Sequence, residues 1–204
     1  MNQLEKTLLE ANEKRFREAK NPLRSHGPDH HWRTYQNALK LADKLGVEYD
    51  AQVLAGAALL HDMAAYYPEQ TGDDYHDFDH KLAGEVLREI DFPAGKIKDV
   101  QECIANHGTD PKFKRSDERI EITLLRDGDK LEAFGPIGVA RILMARSLRG
   151  NTLDEIVDDF LTHGHLEGKW NAISTDAARE MGRADYEYSR DFFSRLAESL
   201  KPAV

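Results

Sequence analysis

The sequence predicts an all-α fold, a bundle of helices. Three features predict the class. Apolar residues recur at spacings of three and four in nearly every segment. No run shows the strict alternation and turn chemistry of a strand. Gly, Pro and polar clusters interrupt the pattern at helix-length intervals. One tract, Val53 to Leu60, is apolar throughout, which marks a helix buried on all sides.

The N-terminal stretch MNQLEKTLLEANEKRFREAK is charged and amphipathic, and predicts a solvent-facing first helix over about 1–20. Trp32, Tyr35, Leu39, Ala42 and Leu45 keep helical spacing, and Gly46 is the C-terminal stop. Asp50 precedes the buried helix, expected over 51–63. The segment YYPEQTGDDYHDFD (66–79) reads as a loop, long enough to form a rim or lid. Leu82, Ala83, Val86, Leu87 and Ile90 predict the next helix, and Ile97, Val100 and Ile104 another. TDPKFKRSDER (109–119) is a second polar loop. A further helix spans 119–133, and Pro136 opens the one after it in its first turn. Leu153, Ile156, Val157 and Phe160 continue the period, although the turn-like RGN and THGHLEGK suggest a less compact excursion over 145–172. A long last helix runs from an N-cap at Thr175 to about Leu200. No composition shift marks a boundary, so a single domain over 1–204 is expected, with its core in 24–200.

At 204 residues the chain can bury a full core without covalent staples. Its one cysteine, Cys103, excludes an internal disulfide and a thiolate zinc site. A formal net charge of −9 argues against a nucleic-acid partner, which requires a basic face. No apolar stretch is long enough to cross a bilayer, and no signal-peptide pattern is present, so neither a membrane partner nor export is expected and the default location is cytoplasmic.

The pair His61-Asp62 ends the buried helix. A carboxylate there needs compensation, because an uncompensated buried charge costs several kcal/mol. One solution is an Arg or Lys at a partly exposed helix end. The other is a divalent metal, which also suits the adjacent imidazole. His30 in SHGPDHHWR and Asp129 in LLRDGDKLEA sit in comparable contexts. Two imidazoles and two carboxylates suit Mn²⁺, Fe²⁺, Mg²⁺, Ni²⁺ or Zn²⁺ with coordination positions left open. His31, about 100° around the helix from His30, is expected on another face. Tyr66 and Tyr67 are expected to pack in the core or at the rim.

With these residues the chain resembles the HD-domain superfamily of metal-dependent phosphohydrolases, through the pattern H…HD…D at His30, His61-Asp62 and Asp129. SHGPDHHWRTYQNALKLA is similar to SHDxxHxxRVxxxA of a branch of small stand-alone bacterial HD hydrolases. LLRDGDKLEAFGPIGVAR is similar to its DADRLDAIGAIGIAR. HKLAGEVL, IANHG, HLEGKW and AREMGRADYEYSRDFF fall where that branch carries its other motifs, so the likeness covers about residues 24–200.

The resemblance implies an all-α HD-domain helical bundle with a metal held between central helices, and a small phosphorylated substrate, a nucleotide such as a nucleoside triphosphate. It implies metal ligation by His30, His61, Asp62 and Asp129. Asp62 and Asp127 become the candidate catalytic carboxylates, with Asp127 supporting the ligand or accepting a proton. His26, Arg33, His80, Lys81, His107 and Lys130 are the candidate substrate-binding residues, since cations and imidazoles suit phosphate. His80 and His107 also fit a second metal, as in the superfamily's mixed-valence di-iron oxygenases (H…HD…H…H…D). That is the alternative reading, and a non-catalytic metal-bound signalling or binding module is a third. Two departures from the branch stand out: Gly27 replaces an Asp, and Met63-Ala64-Ala65-Tyr66 follows the HD pair where a charged residue is usual.

Overall fold

The computed structural model describes residues 1–20, 22–71, 75–108 and 118–201, and every regular element among them is helical. In chain order the helices are α1 (Gln3–Glu18), α2 (Pro28–Leu45), α3 (Ala51–Leu60), α4 (Pro68–Thr71), α5 (Tyr75–Glu89), α6 (Ile97–Asn106), α7 (Ile120–Leu131), α8 (Gly135–Leu148), α9 (Leu153–Val157), α10 (His165–Asn171) and α11 (Asp176–Leu200). Short 3-10 turns lie at Arg24–His26, Met63–Tyr66 and Ala94–Lys96, and a π-helical turn at Asp158–Thr162. Among the described residues no helix is long and apolar enough to cross a membrane.

Helix boundaries follow local chemistry. Asn2 and Glu5 close a reciprocal capping box at the start of α1. Pro28 occupies the first turn of α2, and Gly46 ends it at φ +62°, a conformation an L side chain rarely adopts. The Asp50 side chain accepts the N–H groups of Gln52 and Val53 at the head of α3, and the carboxylate is held by Lys96 at 2.8 Å. Thr175 caps α11 as its sequence suggests.

The chain gathers into two compact units, Met1–Asp129 and Lys130–Val204. In the first, α3 is the central helix: Val53 through Leu60 are all buried, and the helix packs against α1, α2 and α6. Helix α5 packs on α6, with Ala83, Val86 and Leu87 against an interior that includes Val100 and Ile104. In the second unit α11 packs against α8 and α9. Phe160 stacks on Phe193 with centroids 4.9 Å apart, and Trp170 on Tyr186 at 4.5 Å.

Two expectations need correction. The 66–79 stretch is not a long loop. A 3-10 turn ends at Tyr66, α4 follows, and α5 begins at Tyr75; residues 72–74 lie outside the described set. The 145–172 region is not a loose excursion either. It forms the end of α8, then α9, the π turn and α10, and it buries Ile156, Val157, Phe160 and Leu166. Of the 109–119 loop, 109–117 lie outside the described residues.

Candidate metal centre

Three helices of the first unit bring the four H…HD…D residues together. His30 lies in the first turns of α2, His61 and Asp62 follow the last turn of α3, and Asp129 lies near the end of α7. One ligand atom from each falls within 4.8 Å of all the others. His30 Nε2 lies 3.4 Å from Asp129 Oδ1 and 3.8 Å from Asp62 Oδ2. His61 Nε2 lies 3.7 Å from Asp62 Oδ2 and 3.8 Å from Asp129 Oδ1. These separations are too long for hydrogen bonds. They are close to the spacing of roughly 3–3.5 Å that donors adopt around a shared ion about 2.0–2.2 Å from each.

Buried polar atoms support the fit. His61 is fully buried, and its Nε2 has no hydrogen-bond partner. A buried imidazole nitrogen in that position costs free energy unless a cation or proton completes it. The ring is held by its other nitrogen: His61 Nδ1–H donates to Ala58 O at 2.9 Å. His107 repeats the device at the end of α6, donating from Nδ1 to Ile104 O at 2.5 Å. Each histidine thus takes up one of the carbonyls that a helix end leaves unpaired, and turns Nε2 inward. The C-terminal ends of α3 and α6 carry the negative ends of their helix dipoles, which favours a cation between them.

The electrostatics agree. Burial pushes the His61 imidazole below its ordinary value, against the opposing pull of Asp62 and Asp129. Burial alone would raise the Asp62 carboxyl; the surrounding imidazoles of His61, His107 and His30 outweigh it and hold the group well below the usual carboxylate range. Neutral imidazoles beside an ionised carboxylate are the protonation states a metal requires of its ligands.

Asp127 and Asp129 lie about 200° apart around α7. Asp129 lies close to His30 and His61, and Asp127 is fully buried. Gly128 between them is required by packing. A Cβ there would come within 2.9 Å of Thr34 O and 3.1 Å of Ala38 N on α2, and Asn37 Nδ2 donates to Gly128 O at 3.3 Å. The glycine lets α7 approach α2 closely enough for Asp129 to meet His30.

Around the four, His107 Nε2 lies 3.7 Å from the other Asp62 oxygen, Oδ1. His26 stands at the edge, with Nε2 3.9 Å from Asp62 Oδ2 and Nδ1 3.0 Å from Ser25 Oγ. Arg33 is paired with Asp29 at 2.8 Å. His80 is half-buried on α5, where its carbonyl accepts from Gln101 at 2.9 Å, and Lys81 beside it is exposed. Lys130 is half-buried and begins the second unit.

Sequence reasoning missed two buried residues here. Asp79 is fully buried; its Oδ1 accepts the Ala64 N–H at 2.9 Å, just beyond the HD pair. Burial and the nearby Asp62 charge raise its carboxyl well above the usual range. Its run of neighbouring acids makes it look solvated in the sequence. His31 does turn to another face than His30, but that face is interior: the ring is fully buried, and Nε2 receives the Asp62 N–H at 3.3 Å.

The sequence profile of the HD domain matches residues 29–133. No curated protein matches the chain. Several solved structures share the fold. A Lactobacillus plantarum protein superposes with a TM-score of 0.72 at 16% identity, covering 98% of this chain and 97% of that one. An HD-superfamily hydrolase from Bacillus thuringiensis gives 0.67 at 22% identity, covering 96% and 95%. Bacillus subtilis YpgQ in complex with ADP gives 0.65 at 19% identity, covering 97% and 98%.

Proposed function

The chain belongs to the HD-domain family, and on that premise we propose that it is a metal-dependent phosphohydrolase that cleaves a nucleotide or related phosphate ester. The observation that carries the reading is the convergence of His30, His61, Asp62 and Asp129, whose ligand atoms lie within 4.8 Å of one another around a buried His61 Nε2 with no hydrogen-bond partner. This donor set fits Mn²⁺, Fe²⁺, Mg²⁺, Ni²⁺ or Zn²⁺. A divalent metal so held supplies Lewis acidity toward a phosphoryl oxygen and lowers the pKa of water.

The chain's own residues have distinct tasks in this reading. His30 and His61 donate through neutral Nε2 atoms, and Asp62 and Asp129 supply the two negative charges that balance a divalent ion. His26, at the edge of the cluster and partly exposed, is placed to meet a phosphate oxygen. Arg33, on α2 beyond that turn, carries positive charge suited to a polyanionic substrate. The ADP complex of YpgQ supports a nucleotide as the substrate class.

The test is release of phosphate and pyrophosphate across a panel of nucleoside mono-, di- and triphosphates, with the metal-stripped protein resupplied with each metal. Turnover that depends on added metal and is lost in His61→Ala supports the reading. A protein that binds metal but cleaves no phosphate ester contradicts it.

A second reading is a dinuclear site with oxygenase chemistry. It is favoured by one observation: Asp62 turns Oδ2 toward His30 and His61 while Oδ1 faces His107 Nε2 at 3.7 Å. Two metals per chain, with substrate-dependent oxygen consumption, would select it.

A further inference from the structure

Behind the candidate ligands lies a buried chain of hydrogen bonds that the hydrolase reading does not use. It involves Asn12 on α1, His31 on α2 and Tyr66 in the 3-10 turn after the HD pair; all three are fully buried. Asp62 N–H donates to His31 Nε2 at 3.3 Å. His31 Nδ1 lies 3.1 Å from Tyr66 Oη, Tyr66 Oη–H donates to Asn12 Oδ1 at 2.6 Å, and Asn12 Nδ2–H donates to Leu59 O at 2.6 Å.

The Asp62 N–H, a fixed backbone donor aimed at His31 Nε2, sets the direction. A ring nitrogen that accepts from a backbone N–H carries no proton, so the single proton of a neutral His31 sits on Nδ1. Tyr66 gives its own proton to Asn12 Oδ1 and is left with lone pairs for His31 Nδ1–H. Asn12 then uses its amide to reach Leu59 O. Asn12 Nδ2 also approaches His31 Nδ1 at 2.9 Å, but with Nδ1 protonated that contact joins two donors and is not a bond. The opposite tautomer would turn the His31 Nε2–H against the Asp62 N–H.

The two ends of this chain are the significant part. Leu59 O lies before His61, and Asp62 N belongs to the peptide that joins His61 to Asp62, so the two main-chain atoms bracket His61. We propose that Asn12, His31 and Tyr66 form a one-directional hydrogen-bond latch that fixes the backbone on both sides of His61, at Leu59 O and at the peptide leading into Asp62. They are positioning residues for the metal ligands. The proposal rests on the reading of His61 and Asp62 as ligands. It accounts for three polar side chains from distant parts of the chain being buried together, where each needs a partner to be tolerated. It also explains why the fixed points are main-chain atoms: ligand positions must be held within about 0.2 Å, and a backbone shift moves both ligands together. Phe16 packs edge-on against Tyr66 at 5.1 Å and holds the phenol in place.

Two measurements test it. In metal-free or Zn²⁺-loaded protein, long-range ¹H–¹⁵N correlation, with His31 assigned from the spectrum of His31→Gln, reads the tautomer. The latch requires the proton on Nδ1; a proton on Nε2 overturns it, whatever the protein's activity. Isothermal titration of metal-stripped Tyr66→Phe with Mn²⁺ reads the second. This variant keeps the ring and breaks the chain at its middle. Loss of a group that supports metal ligands typically weakens metal affinity by 10–100-fold, and a loss of about tenfold is expected here. Val86→Ala, a core truncation on α5 outside the latch, serves as the control for general loosening. Equal metal affinity in the two variants overturns the latch. If the unsubstituted protein binds no Mn²⁺, the ligand reading fails instead, and the tautomer still decides the hydrogen-bond chain.

Discussion

Both units of the molecule hold histidines beside aspartates, yet only one buries them. In Met1–Asp129, His30 and His61 have side chains 1% and 0% exposed and meet Asp62 and Asp129. In Lys130–Val204, His163 lies 3.3 Å from Asp158 and His165 lies 3.7 Å from Asp159, but these imidazoles are 67% and 42% exposed. The residue types and distances are similar. Water solvates the second set at little cost, so nothing forces a metal there. In the first set, desolvation makes an uncompensated carboxylate expensive, and an ion is the compensation that serves all four groups together. Burial, more than residue type, sets a candidate metal site apart from an ordinary His–Asp pair.

The comparison breaks first if the wrong pair binds metal. His61→Ala or Asp62→Ala should abolish Mn²⁺ binding in calorimetric titration, while His163→Ala leaves affinity and stoichiometry unchanged. Next in size, Asp129→Asn should weaken Mn²⁺ binding by at least about a hundredfold, beyond the range typical for groups that only support the ligands. Asp127→Asn should change it far less, because Asp127 lies about 200° around α7 from Asp129 and is not among the clustered ligand atoms. Gly128→Ala should then lower stability by about 2 kcal/mol in denaturant unfolding, since the added methyl meets main-chain atoms of α2 that cannot move aside.

The smallest effect concerns Asp79. Its folded-state carboxyl titrates well above the ordinary 3.8. The stability contributed by the protonated form is therefore fully present below that value and is lost as pH rises through the folded-state titration. Metal-free protein should lose thermal stability over that rise. Asp79→Asn keeps an acceptor for the Ala64 N–H and cannot ionise, so its melting midpoint should show a shallower decline with pH.

Much of this was legible in the sequence. The apolar run Val53–Leu60 could only be a buried helix, and Thr175 marked the start of α11 to the residue. His61-Asp62 was legible because it ends an apolar run, where a charge needs a reason, and His30 and Asp129 because they complete the H…HD…D pattern with it. The start of α5 was hidden by its composition. Acids and a glycine before Leu82 read as solvated loop, although Asp79 in that stretch is fully buried. The latch was hidden by distance: Asn12 and His31 are 19 positions apart, and Asn12 and Tyr66 are 54. Helical periodicity describes one element at a time. A contact between three elements appears only when they pack.

The most direct measurement is anomalous scattering from crystals soaked in Mn²⁺. The expected peak is bounded by His30 Nε2, His61 Nε2 and the carboxylates of Asp62 and Asp129. No peak there at saturating Mn²⁺, or a peak at His163 and His165 instead, would contradict the site assignment.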